Sequence, residues 1–142
     1  MEQCVRVLIA DDQIHIRHGL RALLTAWPEV EVVGMAANSV EMAQMAEKCQ
    51  PDVALMDVPM SVWMERLEAI RLIKTRWPQI RIVVLTMYTT HRAAALAAGA
   101  DAFLLKGCPA EELRGALLQP RQAATGRGIT TAEGYRPLPS VS

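Results

Sequence analysis

Five polar side chains in this 142-residue sequence have the types that phosphoryl transfer requires, and each ends or follows a short apolar segment. They are Asp11 and Asp12 after "VRVLIA", Asp57 after "DVALM", Thr86 near the end of "IRIVVLTM" and Lys106 at the end of "AFLLK". A single aspartate in such a place is ordinarily a solvated strand end. The five side chains can act together in a reaction only if the fold brings them close to one another.

Clustered carboxylates repel one another, so that either their pKa values rise or a cation joins them. Mg²⁺ suits such a group because it takes oxygen ligands, keeps several waters and is usually shared with a phosphate. Asp57 would then be a nucleophile towards phosphorus. Lys106 would supply a positive charge to the phosphoryl oxygens, and Thr86 a hydroxyl donor.

The segments that must position these side chains alternate between two patterns. Five β-rich runs, "VRVLIA", "EVEVVGM", "DVALM", "IRIVVLTM" and "AFLLK", are separated by stretches with helical spacing. Four runs are almost continuously apolar, as parallel strands covered on both faces are, and the second alternates like an edge strand. The alternation predicts an α/β doubly wound parallel sheet. Ligands of such sheets lie beyond the carboxyl ends of the strands, where the five side chains would meet.

Apolar residues at helical spacing predict the covering helices, and we interpret these stripes as core. The stripes are Ile16, Leu20, Leu23, Leu24 and Trp27; then Met42, Met45, Ala46 and Cys49; then Leu67, Ile70, Ile73 and Trp77. Proline disfavours helix at the residue before it, so both Trp-Pro pairs indicate helix ends. Pro109 is interpreted as the first residue of the last helix.

Composition narrows the class of protein. Fifteen basic residues balance fifteen acidic ones, which argues against binding of nucleic acid or an anionic membrane by this segment. Three widely spaced cysteines fit free thiols in a reducing cytoplasm, and no apolar run is long enough to span a membrane. We expect one domain over residues 1–119. Residues 120–142, rich in Pro and Gly, are expected to form a linker or tail with no output domain.

Four motifs, "VLIADDQ", "ALMD", "VVLT" and "GADAFLLK", resemble the receiver domain of two-component response regulators. The stretch "IADDQIHIRHGLRALL" is most similar to LuxR/NarL-type transcription factors. This resemblance implies a five-stranded sheet of order 2-1-3-4-5, with helices on both faces. It also implies a cytoplasmic, non-enzymatic phosphoprotein that controls transcription.

The resemblance assigns roles within this sequence. Asp57 would accept phosphate from a histidine kinase, and Lys106 would sense it. Thr86 and Phe103 would form the coupled switch pair. Mg²⁺ would be held by Asp11, Asp12, Asp57 and the main-chain carbonyl of Pro59. Partners would be the kinase and DNA, the latter only through an output domain absent from this chain, with no membrane partner. Whether the chain forms a homodimer is left open.

The loop after Asp57 departs from the family pattern. Ser61 replaces a proline, the Asp-Gly pair is missing, and the loop is one residue longer. Pro59 has no N–H, although the family uses an N–H there to bind a phosphoryl oxygen. Losing a hydrogen bond to a charged group costs about 1.5–3 kcal/mol. The helix after Thr86 is short and rich in alanine, and His15, His18 and His91 are most simply surface or helix residues.

Other functions remain as alternatives. The main one is a degenerate receiver that signals through protein contacts without phosphate, which Pro59 and its loop favour. A dinucleotide-binding enzyme is disfavoured because the first strand-to-helix turn, "ADDQIH", has no glycines. A phosphatase with an aspartyl nucleophile would place its carboxylate pair two residues apart, whereas Asp11 and Asp12 are adjacent.

Overall fold

The computed structural model describes residues 4–58 and 62–119, and within these ranges five strands alternate with five helices. The strands are β1 (Val5–Ala10), β2 (Val30–Ala36), β3 (Val53–Asp57), β4 (Arg81–Thr86) and β5 (Ala102–Leu105). The helices are α1 (Ile14–Thr25), α2 (Ser39–Cys49), α3 (Trp63–Arg76), α4 (Arg92–Ala98) and α5 (Ala110–Leu118). A short 3₁₀ turn, Thr89–His91, precedes α4.

The strands form one parallel sheet of order β2-β1-β3-β4-β5, which confirms the predicted fold. Its register aligns the carboxyl ends of the inner strands. Ala10 pairs with Met56, Asp57 pairs with Leu85, and Thr86 pairs with Leu105. The residues that follow these ends therefore come to one edge of the sheet, as the sequence predicts.

Alternating strand residues feed two separate cores, one on each face of the sheet. On one face, strand residues such as Leu8 and Val84 pack with buried side chains of α2, α3 and α4. On the other face, residues such as Ile9 and Leu55 pack with those of α1 and α5. Because both faces are covered, β3 and β4 are buried along their whole length.

Most of the predicted helix stripes are core, with corrections at α1 and α5. Leu24 and Trp27 are buried, but Leu23 is 37% exposed, so its assignment to the core was wrong. The apolar stripe of α1 is therefore wider than the face of the helix that is buried. Pro109 lies just before α5 as its N-cap residue, and the helix begins at Ala110. The predicted short fourth helix is confirmed, since α4 spans seven residues.

The structure tests the expectations on the cysteines and on membrane spans, but not those on the tail and the loop after Asp57. Cys4, Cys49 and Cys108 are free thiols, as predicted. Within the described ranges, no helix has the length and apolar character needed to cross a membrane. The division at residue 119, the tail 120–142 and the loop 59–61 stay predictions, because the tail and loop lie outside the described residues.

Removing the buried side chain of Ile70 should destabilise the fold. Ile70 lies in α3, is fully buried and packs in the core of α2, α3 and α4. Ile70→Ala is expected to lower the free energy of unfolding by about 2–5 kcal/mol, through lost apolar burial and the cavity left behind. Chemical denaturation would measure it. The control is Leu72→Ala on the same helix, where the leucine is 44% exposed; equal losses in both variants would contradict this packing.

Candidate functional site

Three carboxylates meet at the carboxyl edge of the sheet. Asp11, Asp12 and Asp57 each offer an oxygen, and these oxygens lie within 4.8 Å of one another. Asp11 is fully buried, Asp57 is nearly buried as the last residue of β3, and Asp12 is exposed. The main-chain N–H of Asp11 donates to the carbonyl of Ala36 at 3.0 Å, which extends the β1–β2 pairing and directs Asp11 inward.

Asp11 has an unusual electrostatic environment. Its Oδ1 accepts the N–H of Gln13 at 2.9 Å, whereas its Oδ2 is buried and has no hydrogen-bond partner within the described part of the chain. Burial raises the pKa of Asp11 from 3.8 to about 6; the Gln13 bond and Lys106 oppose this rise, and the charges of Asp57 and Asp12 add to it. A buried, unpartnered carboxylate oxygen beside two other carboxylates fits a cation such as Mg²⁺, which takes oxygen ligands.

Lys106 forms an ion pair with Asp57. Its Nζ lies 2.8 Å from Oδ1 of Asp57, and its main-chain N–H donates to the carbonyl of Thr86 at 2.7 Å. Gly107 follows with φ +92°, a conformation that glycine adopts without the penalty of a side chain. The turn after β5 thus aims the lysine back towards the end of β3.

Thr86 and Phe103 lie where the sequence predicts, on neighbouring strands. Thr86 is fully buried, and its hydroxyl donates to the carbonyl of Val58 at 2.9 Å. Phe103 pairs in register with Val84 and is partly buried against the core of α2, α3 and α4. The structure brings Asp11, Asp12, Asp57 and Lys106 together. Thr86 reaches the residue after Asp57, while Pro59 lies outside the described residues.

Two buried side chains at this edge were not recognised from the sequence. Arg66 of α3 is 2% exposed, and its Nε–H donates to the main-chain carbonyl of Asp57 at 3.2 Å. His91, interpreted as a surface or helix residue, ends the 3₁₀ turn but does not lie on the surface: it is 6% exposed, with its ring stacked on Trp63 at a centroid distance of 3.6 Å. A signal for Arg66 did exist: it shares the i, i+4, i+7 stripe of Ile70 and Ile73.

Comparison with known proteins agrees with this geometry. The family model of the response regulator receiver domain matches residues 7–118. The chain belongs to this family. The sheet order of this receiver and the acidic cluster at the carboxyl edge agree with what the resemblance implied.

The receiver is similar to several transcriptional regulators. It is 39% identical over 111 residues to the uncharacterized transcriptional regulatory protein YhcZ of Bacillus subtilis, covering 77% of this chain and 51% of that protein. It is 32% identical over 131 residues to the response regulator VraR of Staphylococcus aureus, covering 91% of this chain and 61% of that protein. The chain thus spans about half to three-fifths of the length of these relatives.

Solved structures give the same assignment. The signal receiver domain of the NarL-type regulator of Mycobacterium tuberculosis is similar with a TM-score of 0.74 and 28% identity, over 82% of this chain and 94% of that one. The receiver domain of Thermotoga maritima CheB gives a TM-score of 0.73 and 27% identity, over 81% and 94%. These likenesses extend over most of each receiver.

Asp11→Asn should stabilise the metal-free receiver at neutral pH. Because the folded-state pKa of Asp11 is raised from 3.8 to about 6, its contribution to stability is complete below pH 3.8 and is lost as the pH rises through about 6. Asparagine keeps the acceptor for Gln13 and carries no charge. With a chelator present, the melting temperature of Asp11→Asn should exceed that of the wild type at pH 7, and the gap should shrink towards pH 5.

The control for this prediction is Asp12→Asn, which neutralises an exposed member of the same cluster. Its effect on the melting temperature at pH 7 should be smaller, because Asp12 is exposed. A gap for Asp11→Asn that stays constant or grows as the pH falls would contradict the assigned pKa shift.

Proposed function

We propose that this receiver accepts a phosphoryl group on Asp57 from a histidine kinase, in a Mg²⁺-dependent reaction, and thereby controls a DNA-binding output. The observation that carries the proposal is the ion pair of 2.8 Å between Lys106 and Asp57, set beside the carboxylates of Asp11 and Asp12. An aspartate flanked by a cation site on one side and a lysine on the other is suited to phosphoryl transfer, which depends mainly on positioning and charge neutralisation.

Mg²⁺ would be held by Asp11, Asp12 and Asp57, with the carbonyl of Pro59 as a further ligand predicted from the sequence. When bound, the ion neutralises charge on the phosphoryl oxygens and relieves the repulsion among the carboxylates. Oδ2 of Asp11 has no hydrogen-bond partner among residues 4–58 and 62–119, and this supports the assignment, since a buried carboxylate oxygen without a donor has a reason to bind a cation.

The chain's own residues then perform the transfer. A carboxylate oxygen of Asp57 forms the bond to phosphorus as the bond from phosphorus to the kinase's histidine nitrogen breaks. Lys106 moves its ammonium contact from the Asp57 carboxylate to a phosphoryl oxygen. The hydroxyl of Thr86 gives up the carbonyl of Val58 and donates to the phosphoryl group, and Phe103 follows it as the second member of the switch pair.

The output and location belong to the same proposal. The relatives are named as transcriptional regulators and the chain covers only part of their length, which supports a DNA-binding output outside residues 1–119. Residues 120–142 would be the linker or tail. Free thiols on all three cysteines support a location in the reducing cytoplasm. A homodimer stays a prediction.

The alternative is a degenerate receiver with the same fold that works through protein contacts. Pro59 favours it, because proline cannot donate the main-chain N–H that the family uses there. The carboxylates and Lys106 at their close distances favour phosphorylation instead.

Asp57 should be the sole phosphoacceptor. Intact-mass measurement after treatment with acetyl phosphate and Mg²⁺ should show one phosphoryl adduct in the wild type and none in Asp57→Asn. Chelation of Mg²⁺ should remove the adduct from the wild type as well. The control is Glu68→Gln, which alters an exposed carboxylate of α3 and should label normally. An adduct that persists in Asp57→Asn would place the site elsewhere.

Pro59→Ala should strengthen binding of beryllofluoride, a phosphoryl mimic, because alanine restores an N–H that can donate to it. Mg²⁺ affinity should change little, since the carbonyl at this position is kept. Titration of both proteins with beryllofluoride at saturating Mg²⁺, and with Mg²⁺ alone, separates the two effects. The lost bond corresponds to roughly 10- to 100-fold in affinity. Failure of both proteins to bind beryllofluoride would support the degenerate receiver.

A further inference from the structure

Arg66 is a buried cation directly behind the phosphoacceptor. It is 2% exposed and lies on the inner face of α3, next to Leu67 and Ile70 of the core. Its Nε–H donates to the main-chain carbonyl of Asp57 at 3.2 Å, and its Nη1–H donates to Oγ of Ser39 at 2.9 Å. One guanidinium therefore connects the end of β3 to the first turn of α2.

Stability alone does not explain a charged side chain in this place. Burying a charge is costly unless it is paired, and a well-packed apolar side chain often stabilises as well or better. Among residues 4–58 and 62–119, no carboxylate forms an ion pair with Arg66, and the acceptors of its hydrogen bonds are a carbonyl and a hydroxyl. These two hydrogen bonds, rather than an ion pair, therefore account for the presence of a buried arginine here.

The first bond holds one of two successive carbonyls at the end of β3. Arg66 binds the carbonyl of Asp57, and the hydroxyl of Thr86 binds the carbonyl of Val58. The two side chains thus define the path of the backbone at the residue whose carboxylate pairs with Lys106. If Thr86 turns to a phosphoryl group, the Arg66 bond still restrains Asp57.

The second bond reaches the segment that supports Asp11. Ser39 follows Asn38, the residue that caps α2 by accepting the N–H of Glu41. Two residues before Asn38, the main-chain carbonyl of Ala36 accepts the N–H of Asp11 at 3.0 Å. Arg66 therefore connects the backbone of Asp57 to the backbone that places Asp11, and neither of these two hydrogen bonds involves a carboxylate.

We propose that Arg66 is a positioning residue for the acidic site, which keeps the carboxylates of Asp57 and Asp11 at the separation that a cation requires. This role rests on the proposed function for its use in phosphorylation, but the positioning itself belongs to the metal-free protein. The donor fork is essential: lysine keeps the charge but lacks the rigid planar geometry that serves two acceptors at once.

The test compares Arg66→Gln with Arg71→Gln, which removes the same charge from an exposed position of the same helix. Mg²⁺ affinity is measured from the amide chemical shifts of Asp11 and Asp12. Arg66→Gln should weaken it by about 10-fold, the lower end of what loss of a partner behind a metal ligand costs. Arg71→Gln should leave it unchanged. Arg66→Lys should resemble Arg66→Gln, and full affinity in Arg66→Lys would overturn the proposal.

Ser39→Ala provides a milder variant that leaves the Asn38 cap in place, so that the role is tested even if Arg66→Gln does not fold. It should weaken Mg²⁺ binding by itself and have no added effect when combined with Arg66→Lys, because both changes break the same connection. Wild-type affinity in Ser39→Ala, or independent effects of the two changes, would show that Arg66 does not act through α2.

Amide hydrogen exchange without metal separates this proposal from the proposed function. In Arg66→Gln, or in Arg66→Lys if that variant does not fold, the amides of Met56 and Asp57 should exchange about 10-fold faster, as loss of one hydrogen bond predicts, while Ile82 in the core should not change. A wild type that takes up no beryllofluoride would defeat the phosphorylation proposal and leave this result standing. Unchanged exchange at the end of β3 would overturn the role of Arg66.

Discussion

The mutual repulsion of three carboxylates, balanced by one lysine, is the constraint on which this site depends. Asp11, Asp12 and Asp57 offer oxygens within 4.8 Å of one another, and Lys106 reaches Asp57 at 2.8 Å. One ammonium cannot neutralise three carboxylates. Burial raises the pKa of Asp11 to about 6, and the charges of Asp57 and Asp12 add to this rise. The resting site thus has an excess of negative charge, which favours a divalent cation and, with it, a phosphoryl group.

The fold tolerates this cluster because packing in the sheet and its two cores offsets the electrostatic repulsion of the carboxylates. Parallel register brings the carboxyl ends of β1, β3, β4 and β5 to one edge, and two aliphatic cores fix the strands from both faces. At the edge itself, side chains bind the backbone: Thr86 holds the carbonyl of Val58, and Arg66 holds that of Asp57. These hydrogen bonds hold the backbone at the end of β3 without using the carboxylates or the ammonium of Lys106. The charged groups can therefore change partners when a ligand binds.

The fold and the meeting of the carboxylates with Lys106 could be predicted because they follow from strand order and from residues that directly follow strands. How deeply individual side chains are buried could not be predicted from the sequence. Leu23 has the spacing of a core residue but is 37% exposed, because spacing along a helix does not show how deeply each position is covered. Arg66 has the helical spacing of Ile70, but a charged residue type does not indicate burial. Its burial depends on the acceptors that Asp57 and Ser39 provide, and these come from distant parts of the chain. His91, at the end of the 3₁₀ turn, is buried and stacks on Trp63, the first residue of α3, a contact that neither local sequence indicates.

The most direct measurement of this account is a crystal structure of the receiver grown with Mg²⁺ and beryllofluoride. The account predicts beryllium bonded to a carboxylate oxygen of Asp57, with Mg²⁺ contacting Asp11, Asp12 and Asp57. Nζ of Lys106 should lie on a fluorine, and the hydroxyl of Thr86 should have left the carbonyl of Val58 for the mimic. A structure at saturating ligand in which Asp57 stays unmodified, with Lys106 still paired to it and the Thr86–Val58 bond intact, would contradict the account.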